Sequence, residues 1–516
     1  MSLRSKIVST FKLHGLTLRS DASACMVEAL EGLSTGDVKH WLEKFIEIIQ
    51  KKPLKPGAIS REVIEDVIEE CGVGADSDDN NSFLVIDAFK VPKFVFNTDR
   101  KKFVPDHSKA NIHSAAEDKA ALFCERYTVL YQRTLRHELF TMPVLGSGET
   151  APKYRLQPVE FLLSSSALLG NALVFGMVAQ LKEGSYFLED STGSVEMDIS
   201  QAEFHSGLFT ENCFVLAEGV YEDRLFHVTA LGFPPPEPAT FSRSHLGNLN
   251  FFGGPSTTTC KASTQLAALE KENEEMSIVL LSEVWLDQSM VLDKLRVLFT
   301  GFAEAPPAAF VFCGNFCSMP CGPVYYEALK DGLKALADLI CDYPSFEKTR
   351  FVFVPGPSDP GPGNILPRPA LPTLFTEQIC SKVPLATFTT NPCRLQYCTK
   401  EIAVFREDIM NKMCRNCIRL PSDDVDLPTH LVKTLESQAH LCPLPLHIRP
   451  VYWTQDHALH LYPLPDLVIL ADKYDPFTVK SQTGCTTVNP GSFARSDFQF
   501  KVYFPFKGDV QDSKIP

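Results

Sequence analysis

The feature that most constrains this chain is a set of short, wholly apolar runs spaced through its C-terminal half: SIVLL (277–281), AAFVFCG (308–314), RFVFVPG (350–356) and DLVILA (466–471). A strand with one wet face alternates apolar and polar residues, so a strand apolar at every position must be covered on both sides. Helical patterns separate the runs, most clearly over 324–340. The segment therefore predicts a layered α/β domain. Ligands of such sheets sit beyond the carboxyl ends of the strands, so chemistry is expected there.

The chain has 516 residues, too many for one ordinary core, and several domains are expected. Residues 1–75 read as helical: Trp41, Phe45, Ile48 and Ile49 form one apolar stripe, and Ser60 caps a helix carrying Ile64, Val67, Ile68 and Cys71. Gly72 to Ser82 is a linker by composition, within a connecting region at 76–150. That region holds a strand-like run from Phe83 to Phe96 and a polar stretch from Asn97 to Glu117, where Arg100, Lys101 and Lys102 read as a solvated turn. A helix over Ala121 to Phe140 is expected to pack its aromatics and leave its arginines in water.

Residues 151–240 switch to a strand period. Five short strands from about Ala172 onward, with turns at Ser191 to Gly193 and at Glu222 and Asp223, predict an OB-fold β-barrel. Its strands carry Glu189, Asp190, Glu196, Asp198, Glu218, Glu222 and Asp223. An acidic barrel is a poor funnel for single strands, so protein contact is its expected use. The uncharged stretch from Phe161 to Leu181 is long enough to span a bilayer, but its serines, Asn171, Gln180 and two glycines fit a helix ending near Gly170 and a strand from Ala172. PPPEP (234–238) closes the unit, and 241–516 is the third domain.

Forty-nine basic against sixty-three acidic residues give a formal net charge of −14, which argues against a broad phosphate-gripping surface. Charged residues near the start interrupt any apolar signal core, so the sixteen cysteines read as reduced thiols of the cytosol or nucleus. Cys414 and Cys417 form half a zinc site that Cys393 and Cys398 would have to complete; core or partner-contact thiols are the expectation. Cys313, Cys317 and Cys321 are expected to be packing thiols, and His440 to be structural or to line a former metal pocket.

The strand ends carry Glu283, Trp285 and Asp287; Gly314 and Asn315; Gly356, Pro357, Ser358 and Asp359; and Asp472. This order resembles the calcineurin-like metallophosphoesterases, whose strand ends read D-x-H, GD, GNH(D/E) and GHxH. Two metals need a bridging carboxylate with His, Asn and Asp ligands. By that resemblance, Glu283 and Trp285 stand at D-x-H, Asn315 replaces the bridging carboxylate, Pro357 and Ser358 replace the Asn–His pair ahead of Asp359 at the acidic position, and no histidine serves the last motif. Trp285 and Pro357 cannot ligate a metal. No metal, cofactor or catalytic residue is therefore expected.

A phosphoesterase-like domain emptied in this way, behind an OB-like barrel, resembles the B-subunits of eukaryotic replicative DNA polymerases, in their epsilon branch. LSEVWLDQ (281–288), FFGGPS (251–256), FVFVPGPSDPG (351–361), TTNPCRLQYC (389–398), FREDIMNKMCRNC (405–417), ADKYDPF (471–477) and NPGSF (489–493) carry the likeness. It implies a multidomain α+β chain: an N-terminal helical bundle like the AAA+ lid, an OB-fold barrel, and a two-sheet inactive phosphoesterase domain. It implies a non-catalytic nuclear scaffold whose partners are the zinc-binding C-terminal domain of the catalytic subunit, the small histone-fold subunits and the replicative helicase (CMG/GINS). DNA is met mainly through the complex. The rival readings are a metal-dependent nuclease using Glu283, Asp287, Asn315, Asp359, Asp472 and His440, and a single-strand binder acting through the barrel.

Overall fold

The computed structural model describes residues 3–30, scattered positions between 41 and 67, and 82–516 except 107, 109–110, 142–153, 166–168 and 422–423. Two compact units divide the chain: Met1–Leu84 with Gly253–Thr258, and Val85–Phe252 with Thr259–Pro516. In the first, α1 (Leu3–Leu13) and α2 (Ser20–Leu30) pack on a core that includes Ile7, Phe11, Met26, Phe45, Ile49, Ile64 and Val67. Trp41 is half-buried against the same core. The expectations for Ile48, Ser60, Ile68, Cys71 and positions 72–81 fall outside the described residues.

In the second unit, the end of a short strand (Phe83–Asp87) and a 3-10 turn (Ala88–Lys90) precede a hairpin, β1 (Lys93–Asn97) and β2 (Lys102–Asp106), whose turn leaves Arg100 and Lys101 exposed. Helix α3 (Ala116–Arg136) follows. Its aromatics pack as expected: Tyr127 and Tyr131 meet Phe175 and Phe214. Its arginines are not wet. Arg126 and Arg133 are buried, Arg126 on the Asp456 carboxylate and Arg133 on the carbonyls of Glu436 and Ser437. Seven residues apart, they share one helix face. Partners far along the chain offset their desolvation, and helical spacing shows nothing of such partners.

Five strands then close on themselves: β3 (Leu169–Lys182), β4 (Ser185–Glu189), β5 (Ser194–Asp198), β6 (Phe214–Glu222) and β7 (Leu225–Gly232). β3 pairs with both β4 and β6, β7 with both β5 and β6, and β4 with β5, which completes the ring. The interior holds Val174, Val195, Val215, Ala217, Phe226 and Val228. Asp190 builds the turn between β4 and β5 by accepting the Thr192 and Gly193 amides at 2.7 and 3.0 Å. The stretch tested for a membrane span is a short helix, Val159–Leu163, and β3, which begins at Leu169 rather than Ala172. A bulge at Asn171 (φ 43°) lets the pairing run past that point. Among the described residues no helix is long and apolar enough to cross a membrane.

The rest is layered. The first sheet contains β8 (Ile278–Ser282), β9 (Ala309–Cys313), β10 (Arg350–Val354) and β11 (Ala386–Phe388), all parallel. The second contains β12 (Cys393–Tyr397), β13 (Lys400–Arg406), β14 (Leu467–Ala471), β15 (Phe477–Lys480) and β16 (Thr486–Asn489), in the order β12-β13-β14-β16-β15. The antiparallel pair β17 (Gln499–Phe504) and β18 (Asp509–Lys514) extends the first sheet beyond β8. Val279 and Leu281 pack against α4 (Ser289–Phe302) and α5 (Pro323–Cys341), while their neighbours Ile278 and Leu280 are equally buried on the opposite face. The apolar runs thus have both faces covered, as predicted. Phenylalanines stack across neighbouring strands: Phe310 on Phe351 at 5.4 Å and Phe312 on Phe353 at 5.3 Å. Each pair contributes about 0.5–1.5 kcal/mol beyond burial.

Candidate functional site

The ends of β8, β9, β13 and β14 converge on Arg406, the last residue of β13, which is fully buried. Its Nη2 donates to Glu283 Oε1 at 2.8 Å, and its Nε donates to the Gly314 carbonyl. Its Nη1 donates to the Ala471 carbonyl at 3.0 Å and to Asp408 Oδ1 at 2.8 Å. Each partner stands at or just beyond the end of a strand, so one planar guanidinium fastens strand ends of both sheets. Burial works against this charge, but Asp408 and Glu283 outweigh it and hold the Arg406 pKa above its ordinary value. Lys473 Nζ lies 3.4 Å from Asp408 Oδ2 and 3.9 Å from Glu283 Oε1. Two carboxylates and two cations make a locally neutral group.

Glu283 has no solvent exposure and adopts a left-handed backbone, φ 54°, as β8 turns away. Its amide donates to the Cys313 carbonyl at 3.0 Å. Asn315 Nδ2 donates to Glu283 Oε1 at 3.0 Å, and Asn315 Oδ1 accepts the Ser358 amide at 2.8 Å. Asp359 is equally committed: its oxygens accept the Phe316 and Gly356 amides at 2.9 and 2.7 Å and the Tyr325 hydroxyl. Burial pushes the Asp359 carboxyl up, against the opposing pull of those donors. Gly314 permits the close approach, since a Cβ there would overlap the Asp359 carboxylate.

The remaining predicted positions disperse. Asp472 accepts the Met410 amide at 2.8 Å and the Tyr474 amide at 2.9 Å, satisfying the open start of α6 (Ile409–Asn416). Burial raises its pKa. Trp285 is half-buried against the α4–α5 core with Arg495 over its ring at 4.9 Å. Pro357 offers only its carbonyl, to Arg368 at 3.3 Å. Asp287 is spent on Ser318, at 2.9 Å to the amide and 2.6 Å to the hydroxyl.

His440 belongs to a different centre. Its Nε2 lies 3.2 Å from Asp456 Oδ1, and His460 Nε2 lies 3.2 Å from Asp456 Oδ2. Among the described residues these three form the only group of metal-ligating side chains with ligand atoms within 4.8 Å of one another. Arg126 bonds both Asp456 oxygens, at 2.8 and 2.5 Å, so a cation already occupies that carboxylate. The four-cysteine set is not assembled either: Cys393 and Cys398 are buried, and Cys417 Sγ donates to the Cys414 carbonyl at 3.3 Å. Cys313 and Cys317 are buried packing thiols as expected, whereas Cys321 is exposed in the loop before α5.

Three family profiles match this chain: DNA polymerases epsilon N terminal over 1–71, the DNA polymerase epsilon subunit 2-like OB-fold domain over 116–235, and the B subunit of DNA polymerases alpha and epsilon over 278–479. Human DNA polymerase epsilon subunit 2 is 53% identical over 520 residues, covering 99% of this chain and 98% of its own length. The chain belongs to the family of DNA polymerase epsilon second subunits. The Drosophila melanogaster member is 41% identical, covering 100% of this chain and 98% of its own, and the Arabidopsis thaliana member is 36% identical with 99% of each covered. A solved structure, that of TT1561 from Thermus thermophilus, aligns over 47% of this chain and 99% of its own at 14% identity and a TM-score of 0.25, too slight a likeness to bear on the fold. The family is that of the polymerase's accessory subunit, not its catalytic chain, and its place is DNA replication.

Within this family member, the centre of the site was missed by sequence reasoning. Arg406 stands in FRED, where arginine reads as a surface charge. A signal was present: a charge closing a strand that is otherwise apolar, IAVFR, needs buried partners. Asn391 was missed too. It donates to the Pro355 and Arg406 carbonyls at 3.0 and 2.6 Å and accepts the Arg406 amide at 3.0 Å, which links the two sheets beside the guanidinium.

Proposed function

We propose that this chain is a non-catalytic scaffold of DNA polymerase epsilon whose phosphoesterase-like centre is held shut by a tethered cation. Arg406 carries the reading. Its guanidinium lies among the strand-end groups that a metal pair would need to engage, bonded to Glu283, Asp408 and the Gly314 and Ala471 carbonyls. Glu283, Trp285, Asn315, Pro357, Ser358, Asp359 and Asp472 are on this reading the degenerate remnants of the metal-binding motifs. The acids among them that stayed are spent on amides, a hydroxyl and Arg406, which leaves no lone pairs arranged to share an ion.

Membership of the family implies a catalytic subunit as partner and a nuclear setting. Beyond that, we assign 1–75 to an AAA+ lid-like helical bundle, 76–150 to connecting elements, 151–240 to an OB-fold barrel and 241–516 to the inactive phosphoesterase domain. The barrel and the layered domain together clasp the zinc-binding C-terminal domain of the catalytic subunit. The small histone-fold subunits and the replicative helicase (CMG/GINS) are further partners, and DNA is reached through the assembly. The test is co-purification of the full chain with the isolated C-terminal domain of the catalytic subunit. Failure of a folded preparation to form that complex overturns the scaffold. Manganese-dependent hydrolysis of bis-p-nitrophenyl phosphate that Glu283→Ala and Asp359→Ala abolish overturns the closed centre.

A further inference from the structure

A shallow cleft in the second unit lies between the β1–β2 hairpin, the loop 247–252, β12 and the loop 460–465, in two adjoining lobes. Phe251, Arg394, His460 and Tyr462 line both lobes. The lobe beside the hairpin is walled by rings: Phe94 stacks on Phe251 with centroids 3.9 Å apart, and Phe103 lies 5.9 Å from Tyr462.

The polar wall is Arg394. Its Nη1 donates to the Phe251 and Phe252 carbonyls at 2.8 and 3.0 Å, and its Nη2 to the His460 carbonyl at 3.0 Å. Among the described residues no carboxylate lies within ion-pair distance of it, and Glu401 acts on it only from farther away. Arg133 and Arg368 are likewise bonded to carbonyls, but neither lines this cleft. Burial pulls the Arg394 pKa down to about 10, so the guanidinium stays charged at neutral pH. The other guanidinium of the cleft, Arg243, is matched by Glu401, the one acid in the lining. One positive charge is therefore left over, on a chain whose net charge is −14.

We propose that this cleft binds an acidic-aromatic peptide segment of a partner protein, with one ring against Phe251 and Tyr462 and one carboxylate at Arg394. Aromatic walls around a desolvated arginine match the anchor residues of protein interfaces. A carboxylate satisfies a single surplus charge. A nucleotide phosphate calls for several converging N–H donors or a helix start, and none is built into this lining. The overall negative charge also repels a polyanion. The proposal holds whether or not the strand-end centre is inert.

The probe is N-acetylphenylalanine, which carries a ring and a free carboxylate, titrated into the full chain and followed by saturation-transfer NMR. Arg394 holds three carbonyls and its removal endangers folding, so the variant is Leu249→Glu on the cleft rim, where Leu249 is 39% exposed. Loss of one charge-assisted contact predicts affinity about tenfold weaker for N-acetylphenylalaninamide than for the acid. Leu249→Glu is expected to weaken the acid by a similar factor, and Leu249→Gln to leave it unchanged. Equal binding of amide and acid, unchanged affinity in Leu249→Glu, tighter binding of adenosine monophosphate than of the acid, or no binding at all would each overturn the proposal.

Discussion

Replacing Arg406 with methionine tests the strand-end centre most directly, because the unbranched apolar stem is kept while the guanidinium is lost with its charge and donors. In the native protein Glu283 has no exposure and takes hydrogen bonds from Arg406 at 2.8 Å and Asn315 at 3.0 Å. Removing the guanidinium leaves a buried carboxylate with the Asn315 amide, the Ser492 hydroxyl at 3.4 Å and a distant Lys473, and strips the Gly314 and Ala471 carbonyls of a donor. Breaking one side of a buried ion pair costs about 3–5 kcal/mol. For a unit of this size that corresponds to a fall of roughly 3–6 °C in Tm. Glu283→Gln alone should cost less, since the amide oxygen still accepts from Asn315. The double variant should recover on the order of 2 kcal/mol relative to the sum of the singles, because no unpaired charge remains. Differential scanning calorimetry of the four proteins closes the cycle. Added salt should change the result little, since a buried pair is poorly screened. A Tm fall of less than about 2 °C in Arg406→Met, or strict additivity in the double variant, would show that the pair does not clamp the sheets.

Asn315→Asp places a second carboxylate against Glu283 and removes the amide that donates to it. It should destabilise by about 2–4 kcal/mol without conferring manganese-dependent hydrolysis, measured by thermal melts and a phosphodiester assay. Gly219→Ala drives a Cβ into the His227 carbonyl where β6 meets β7, and should cost at least about 2 kcal/mol in urea unfolding, with the loss confined to the barrel's transition. His440 and His457 are each held down to about pKa 4, chiefly by burial. Their unfolded values are higher, so the unfolded chain binds more protons between those limits. Stability should therefore fall as pH drops from about 6.5 toward 4, by up to about 1.4 kcal/mol per pH unit for each histidine. Because His440 Nδ1 accepts the Cys442 amide at 3.0 Å, protonation there breaks a native bond. His440→Gln should flatten the slope in melts taken across that range, and an unchanged slope would refute the assignment.

Sequence alone determined the layers, and it alone raised the expectation that the strand ends hold no metal pair. A strand apolar at every position must be covered on both faces, tryptophan and proline side chains offer no metal ligand, and a neutral asparagine is a weak stand-in for a bridging carboxylate. Local pattern also sufficed for the barrel's five strands, since alternation and turn chemistry act between neighbours. Tertiary structure alone decided which groups meet at the strand ends. Arg406 and Glu283 lie 123 residues apart in sequence, and nothing near either one encodes the pairing. The same holds for Arg126 on Asp456, 330 residues away, which turned a helix face expected to be wet into an anchored one. His440 shows the converse: a residue drawn by composition toward the strand-end centre is held by folding in another. The physical reason is common to all three. A buried charge is stable only where its partner is, and partners for buried charges are chosen by distance in space, which periodicity along the chain does not carry.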